Sequence, residues 1–212
     1  MNKFIIGLLF SLFSISTLAH PHSFLDMKNK VLIKGDKLTG FEMSWILDEI
    51  TSAELIYEVK SAEDQKAALN KITEELNISA IQSHYFSELY TENNEPIKFK
   101  AKPVNPRAEI KDNRLVYHFE LALAQPQTVK GKSFKLFTFE PSYYLYMGYE
   151  KASDVTATEQ HLCQVSMVEP TVNQSLRLYA SKLDKTETPD MPSDRSLSLG
   201  AQFAQKVSIV CQ

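Results

Sequence analysis

What the chain has little of bounds its chemistry first. Only 6 glycines occur in 212 residues, and none opens a Gly-rich loop of the kind whose backbone N–H groups cradle phosphate. No Gly-x-Ser-x-Gly nucleophile turn and no His-Glu-x-x-His zinc pair is present. These absences argue against an enzyme. There are 5 histidines and 2 cysteines, and the cysteines lack the close Cys-x-x-Cys spacing of a thiolate zinc site. Neither sign of charge dominates: 23 Lys and Arg stand against 26 Asp and Glu, for a formal net charge of −3. Without a basic block, a nucleic-acid partner is not expected. Beyond the N-terminal leader no apolar run approaches the length of about 20 residues that a membrane span needs.

What is present begins with that leader. Lys3 forms a short positive region, Phe4 to Phe13 is almost wholly apolar, and Ser14 to Leu18 is more polar before the small Ala19. This order predicts a cleaved secretory signal peptide over 1–19, with the mature domain at 20–212 in a bacterial periplasm. The apolar core is short for a signal anchor, and no cysteine follows it to take a lipid. In an exported chain, Cys163 and Cys211 are expected to form a disulfide.

The periodicity along 20–212 is mainly that of strands. Leu25, Met27, Val31 and Ile33 share one parity, and so do Phe41, Met43, Trp45 and Leu47, which predicts strands over 23–34 and 37–47. Lys34-Gly35-Asp36-Lys37 supplies the turn between them. A helix is expected next, with Ser61 and Asp64 as a capping box and Ala67, Ala68, Ile72 and Leu76 within it. It is expected to continue past Asn77 towards Tyr85 with a break near Asn77-Ile78-Ser79, and Asn93-Asn94-Glu95-Pro96 reads as a turn. Asp112-Asn113 marks a turn before a half-buried strand over 115–123. Lys132–Glu140, Tyr143–Tyr149, His161–Val168 and Lys206–Val210 are further strands, and 181–197 reads as a mobile loop. The fold class is therefore α+β: mainly antiparallel sheet, an N-terminal β-hairpin and at least one helix packed on it.

Cleavage after Ala19 would make His20 the terminal residue, offering an α-amine and an imidazole nitrogen to one ion, followed by Pro21 and His22. Imidazole suits zinc, copper and nickel alike. Pro21 has no N–H to deprotonate, which blocks a square-planar amide-nitrogen site. The plainer alternative is a terminus that meets metal only incidentally. The hairpin sharpens the metal reading. Keeping both apolar sets on one face pairs Leu25 with Leu47, Met27 with Trp45, Val31 with Phe41 and Ile33 with Thr39. Phe24 then stands opposite Asp48, and His22 lies diagonal to it at a Cβ separation of about 7–8 Å. His20, His22 and Asp48 form the expected ligand set, with Asp26 as an acceptor for an imidazole N–H. Glu49 ranks below Asp48 because it points away in an unbulged strand. Asp48 and Glu49 are also what a helix start would look like. His84, His118 and His161 read as structural or exposed. The run Glu140-Pro141-Ser142-Tyr143-Tyr144-Leu145-Tyr146-Met147-Gly148-Tyr149 is either aromatic cross-strand packing or a ligand rim, with Glu140 as its carboxylate and Tyr144 supporting the site.

Several of these segments occur in a telling order: His20-Pro21-His22-Ser23-Phe24, Trp45-x-x-Asp48-Glu49-x-x-Ser52, His84-Tyr85-Phe86, Glu140-Pro141-Ser142-Tyr143-Tyr144, and Leu199-Gly200 with Phe203-Ala204 and Cys211. Together they resemble an uncharacterised family of bacterial periplasmic proteins, often labelled the periplasmic component of an ABC-type transport system, that includes a zinc-utilisation protein. The resemblance implies an exported metal-handling protein, zinc first with nickel and copper as alternatives, working beside an inner-membrane nickel/cobalt-efflux-type permease. It also implies Glu140 as a fourth ligand, where relatives usually carry Asp. The Asp-rich, calcium-loop-like stretch of many relatives is replaced here by Val59-Lys60-Ser61-Ala62-Glu63-Asp64, so no calcium site is expected. Two other functions remain open: a non-metal envelope interaction module using the Tyr-rich strand, and a copper protein using the terminal His.

Overall fold

Alternating apolar residues do form the expected hairpin. In the computed structural model, which describes residues 21–183, 189 and 191–212, β1 (Ser23–Lys34) and β2 (Lys37–Leu47) pair antiparallel. Leu25 stands opposite Leu47, Met27 opposite Trp45 and Val31 opposite Phe41. Near the turn the register shifts, and Ile33 meets Leu38 in place of the expected Thr39. Thr39 is the extra residue of a bulge, and its hydroxyl donates to the Leu32 carbonyl at 3.1 Å. Gly40 beside it permits close strand contact, because a Cβ there would lie 2.5 Å from the Leu121 carbonyl oxygen.

Asp48 ends β2 and starts α1 (Glu49–Ser61). The next helix, α2 (Gln65–Gln82), is capped by Asp64, whose carboxylate accepts from the Ala67 N–H at 2.9 Å. Ser61 closes α1, so the expected Ser61/Asp64 capping box is not what the chain uses. Nor does α2 break at Asn77, since Tyr117 Oη donates to the Asn77 side chain at 3.3 Å and Ala80 packs into the core. Then follow β3 (Ser87–Thr91), β4 (Pro96–Ile97), β5 (Val104–Lys111), β6 (Arg114–Thr128), β7 (Ser133–Thr138), β8 (Leu145–Gly148), β9 (Val155–Ala157) and β10 (Cys163–Val168). The chain closes with α3 (Gln174–Lys182), α4 (Leu199–Phe203) and β11 (Lys206–Cys211). Ser181 and Lys182 thus finish a helix, and 195–197 make a 3-10 turn. Residues 184–188 and 190 of the expected loop, the leader and His20 lie outside the described residues.

Two sheets result. One runs β5-β6-β2-β1-β8, with β9 also on β1; the other runs β10-β11-β7-β3-β4. All pairings are antiparallel except β1 with β8 and β1 with β9. One core joins them: Met27, Val31, Phe41, Met43 and Phe119 meet Leu89, Leu136, Val207 and Ile209, each 2 % exposed or less. Burying each such side chain contributes roughly 1.5–3 kcal/mol. Smaller clusters lie under α1 and α2 (Val59, Ile72, Leu115) and between α3 and α4 (Ala180, Leu199, Phe203). Cys163 and Cys211 stand directly opposite one another on β10 and β11 and are joined by a disulfide.

Candidate functional site

Of the expected ligands, His22 stands just before β1, Asp48 where β2 gives way to α1, and Glu140 in the turn that leads into β8. Ser23 and Phe24 pair with Leu145 and Tyr146 of β8. The His22 N–H donates to the Tyr144 carbonyl at 2.9 Å, and its half-buried imidazole packs 4.9 Å from the Tyr144 ring, tilted by 53°. His22 therefore has a fixed backbone and a fixed ring face at the sheet edge.

Asp48 lies across from Phe24 as the hairpin requires, its N–H donating to the Phe24 carbonyl at 3.1 Å. Its carboxylate caps α1. Oδ1 accepts from the Thr51 N–H at 2.8 Å, and Oδ2 accepts from the Ser23 hydroxyl at 2.8 Å, the Thr51 hydroxyl at 2.9 Å and the Phe24 N–H at 3.4 Å. Partial burial disfavours the charge, but these four donors outweigh it and hold the carboxyl below its ordinary range. Glu49 is exposed in the first helical turn, where a negative charge suits the N-terminal end of the dipole.

Glu140 is likewise occupied with its own turn. Oε1 accepts from the Ser142 N–H at 2.9 Å, while Oε2 accepts from the Ser142 hydroxyl at 2.6 Å and the Tyr144 N–H at 2.9 Å. This turn delays β8 to Leu145, two residues later than the sequence pattern suggests, and carries Tyr143 at φ 64°. Asp26 makes an ion pair with Arg114 at 3.1 Å and contacts no described imidazole; Arg114 also donates to the Leu47 carbonyl. Tyr144 is 50 % exposed. Among the described residues no group of three or more His, Cys, Asp or Glu side chains converges as metal ligands would. His20 lies outside them.

The remaining histidines stand apart. His118 bridges Ser44 at 2.8 Å and Glu109 at 3.2 Å on the first sheet, and His161 faces Glu159 at 3.4 Å. Residues not anticipated from sequence are the hydroxyl partners Ser23, Thr51 and Ser142. An Asp-x-x-Thr spacing at Asp48 is the capping signal that would have found Thr51. Next to this edge, Pro21, Phe24, Tyr143, Tyr146 and Phe203 line a groove of about 460 Å³. Burial pushes the Tyr143 hydroxyl up to about 12.

The molecule is thus a two-sheet α+β protein with a histidine and two capped carboxylates drawn to one edge, and among the described residues no helix is long and apolar enough to cross a membrane. It belongs to the family described as protein of unknown function DUF1007, whose model matches residues 5–211. An uncharacterised protein of Haemophilus influenzae (strain ATCC 51907 / DSM 11121 / KW20 / Rd) is similar to it, at 38 % identity over 209 residues, covering 97 % of this chain and 98 % of that one. No solved structure matches.

Proposed function

We propose that the mature protein is a periplasmic accessory protein that holds one divalent transition metal ion, zinc first, and serves an inner-membrane metal permease. The observation that supports this reading is the fixing of His22 against Tyr144, two residues after a His20 that signal cleavage would leave with a free amine. An imidazole already ordered loses less entropy on ligating an ion. Asp48 and Glu140 each keep one carboxylate oxygen with a single hydrogen bond, Oδ1 and Oε1, so a lone pair on each remains for an ion. Asp26, paired with Arg114, has less to offer.

Zinc titration of protein beginning at His20 tests this. One site per chain is expected, weakened at least tenfold in His22→Ala and by a residue added before His20, and little changed in His118→Ala. Binding that survives His22→Ala at wild-type strength refutes the site. A second reading, docking of another envelope protein, is favoured by the exposure of Phe24 at 49 % beside the aromatic groove. It predicts loss of docking in Phe24→Ala with zinc binding intact.

A further inference from the structure

Beyond β4 the two sheets share a stretch of chain and then part. β4 pairs with β3 only at Leu89↔Ile97 and Tyr90↔Pro96. Past Ile97 the chain crosses to the first sheet, where Phe99 bridges Leu123 and the Lys100 N–H donates to the Ala122 carbonyl at 2.8 Å. The near half of β3 therefore loses its neighbour, and a slot of about 600 Å³ opens beside it. That size falls within the range of roughly 300–1,000 Å³ found for small-molecule sites.

The walls of the slot are apolar, made by Ile81, Tyr85, Leu89, Ile97 and Phe99. Its mouth carries His84, Lys98 and Lys100, all exposed. Neither lysine has an ion-pair partner among the described residues. Glu88, the acid that also lines the slot, is engaged elsewhere, by Arg195 at 3.5 Å and by the Tyr90 hydroxyl at 2.7 Å. Lysine stems add apolar surface while their heads reach solvent. An apolar channel ending in two uncommitted cations suits a molecule with an apolar body and an anionic head.

A second observation concerns the wall itself. His84, Tyr85 and Phe86 all have left-handed backbones, with φ of 49°, 57° and 50°. Residues with a Cβ visit this region singly, not in runs. The turn is held by the Phe86 N–H on the Ser83 carbonyl at 2.9 Å, by Ser87 Oγ on the Tyr85 carbonyl at 2.8 Å, and by the Phe139 N–H on the Phe86 carbonyl at 2.8 Å. It turns the Tyr85 ring inward onto Phe119, 5.8 Å away, and leaves His84 at the mouth. Tyr85 Oη donates to the Ala101 carbonyl at 2.9 Å, which ties one wall of the slot to the other and sets its width. Strain of this kind persists where surroundings over-determine it, and it clusters at ligand clamps.

We propose that this slot binds an acyl-chain carboxylate, its tail lying between Leu89 and Phe99 and its head between Lys98 and Lys100. The site is separate from the His22 edge and does not depend on metal.

Calorimetric titration of the mature protein with dodecanoate, kept below its micellar concentration, tests the proposal. One molecule per chain is expected. Dodecanol should bind at least tenfold more weakly, as should dodecanoate to the Lys98→Glu/Lys100→Glu variant, whose changes lie on the surface. Ile97→Trp, checked for an unchanged melting temperature, should block binding by filling the slot. His22→Ala should bind dodecanoate like the wild type. Absence of dodecanoate binding, equal binding of dodecanol, or indifference to the double charge reversal would each overturn the assignment.

Discussion

Replacing Asp48 by Ala removes the acceptor that four donors share. Loss of an N-cap costs about 0.5–2 kcal/mol, and the Ser23 hydroxyl loses a bond to a charged partner, a contribution of roughly 1.5–3 kcal/mol. Taken together, a loss of about 2–4 kcal/mol is expected, part of the Ser23 contribution being recovered by water. At about 2–4 °C per kcal/mol for a chain of this size, the melting temperature should fall by roughly 5–15 °C. Asp48→Asn should fall less, because Asn caps nearly as well but carries no charge. The pH dependence has a defined sign. The folded carboxyl is held below its unfolded value of about 3.9, so its contribution is fully present above that value and is lost as pH falls through the folded one. Thermal melts followed by circular dichroism, run from pH 7 downward, should show wild type and Asp48→Ala well separated at neutrality, with the gap narrowing as pH falls through the folded value. A gap of less than a degree at pH 7, or a gap that persists unchanged into acid, would refute the reasoning. The same variants used in zinc titration separate anchoring from ligation: a loss of zinc binding in Asp48→Ala that Asp48→Asn restores points to anchoring.

Gly200→Ala should be poorly tolerated, since the new Cβ would clash with the Glu140 carbonyl oxygen; overpacking of about 1–3 kcal/mol or more should appear as a lowered denaturant midpoint, whereas an unchanged midpoint would contradict the packing. Changing Cys163 and Cys211 to Ser opens a loop with a sequence separation of 48 and should cost about 4 kcal/mol in the chain-entropy account. Reductant should then shift the melting of the wild type but not that of the double variant.

The hairpin was legible because one face of each strand is buried, and a one-residue slip would expose a whole apolar set. What broke the pattern was Thr39, whose hydroxyl bonds to the backbone; parity carries no signal for a bulge. α1 was seen only as a possible cap at Asp48. Ile50 and Tyr57, 85 % and 74 % exposed, place large apolar residues on its outer face and blur the helical stripe. The edge strand β5 is mostly exposed, so it lacks the alternation that reveals a half-buried strand. At the candidate site the sequence brought Phe24 opposite Asp48 correctly, but a carboxylate that could ligate and one that caps a helix look alike until their donors are known. The slot between the sheets could not be read, because it arises from where a strand leaves its sheet, not from any motif.

β1 has a consequence for how the molecule assembles. One of its edges pairs with β2 next door, while the other is covered by β8 and β9, parallel strands far downstream. A chain delivered N-terminus first therefore carries a half-finished strand, with N–H and C=O groups open to foreign pairing, until residues 145–157 arrive. Such distant pairing slows folding. The two cysteines come later still, at Cys163 and Cys211, so the disulfide can form only after every partner of the first strand has been delivered. Until then the vulnerable species is a hairpin with one bare edge, and it is there that a chaperone would have most to protect.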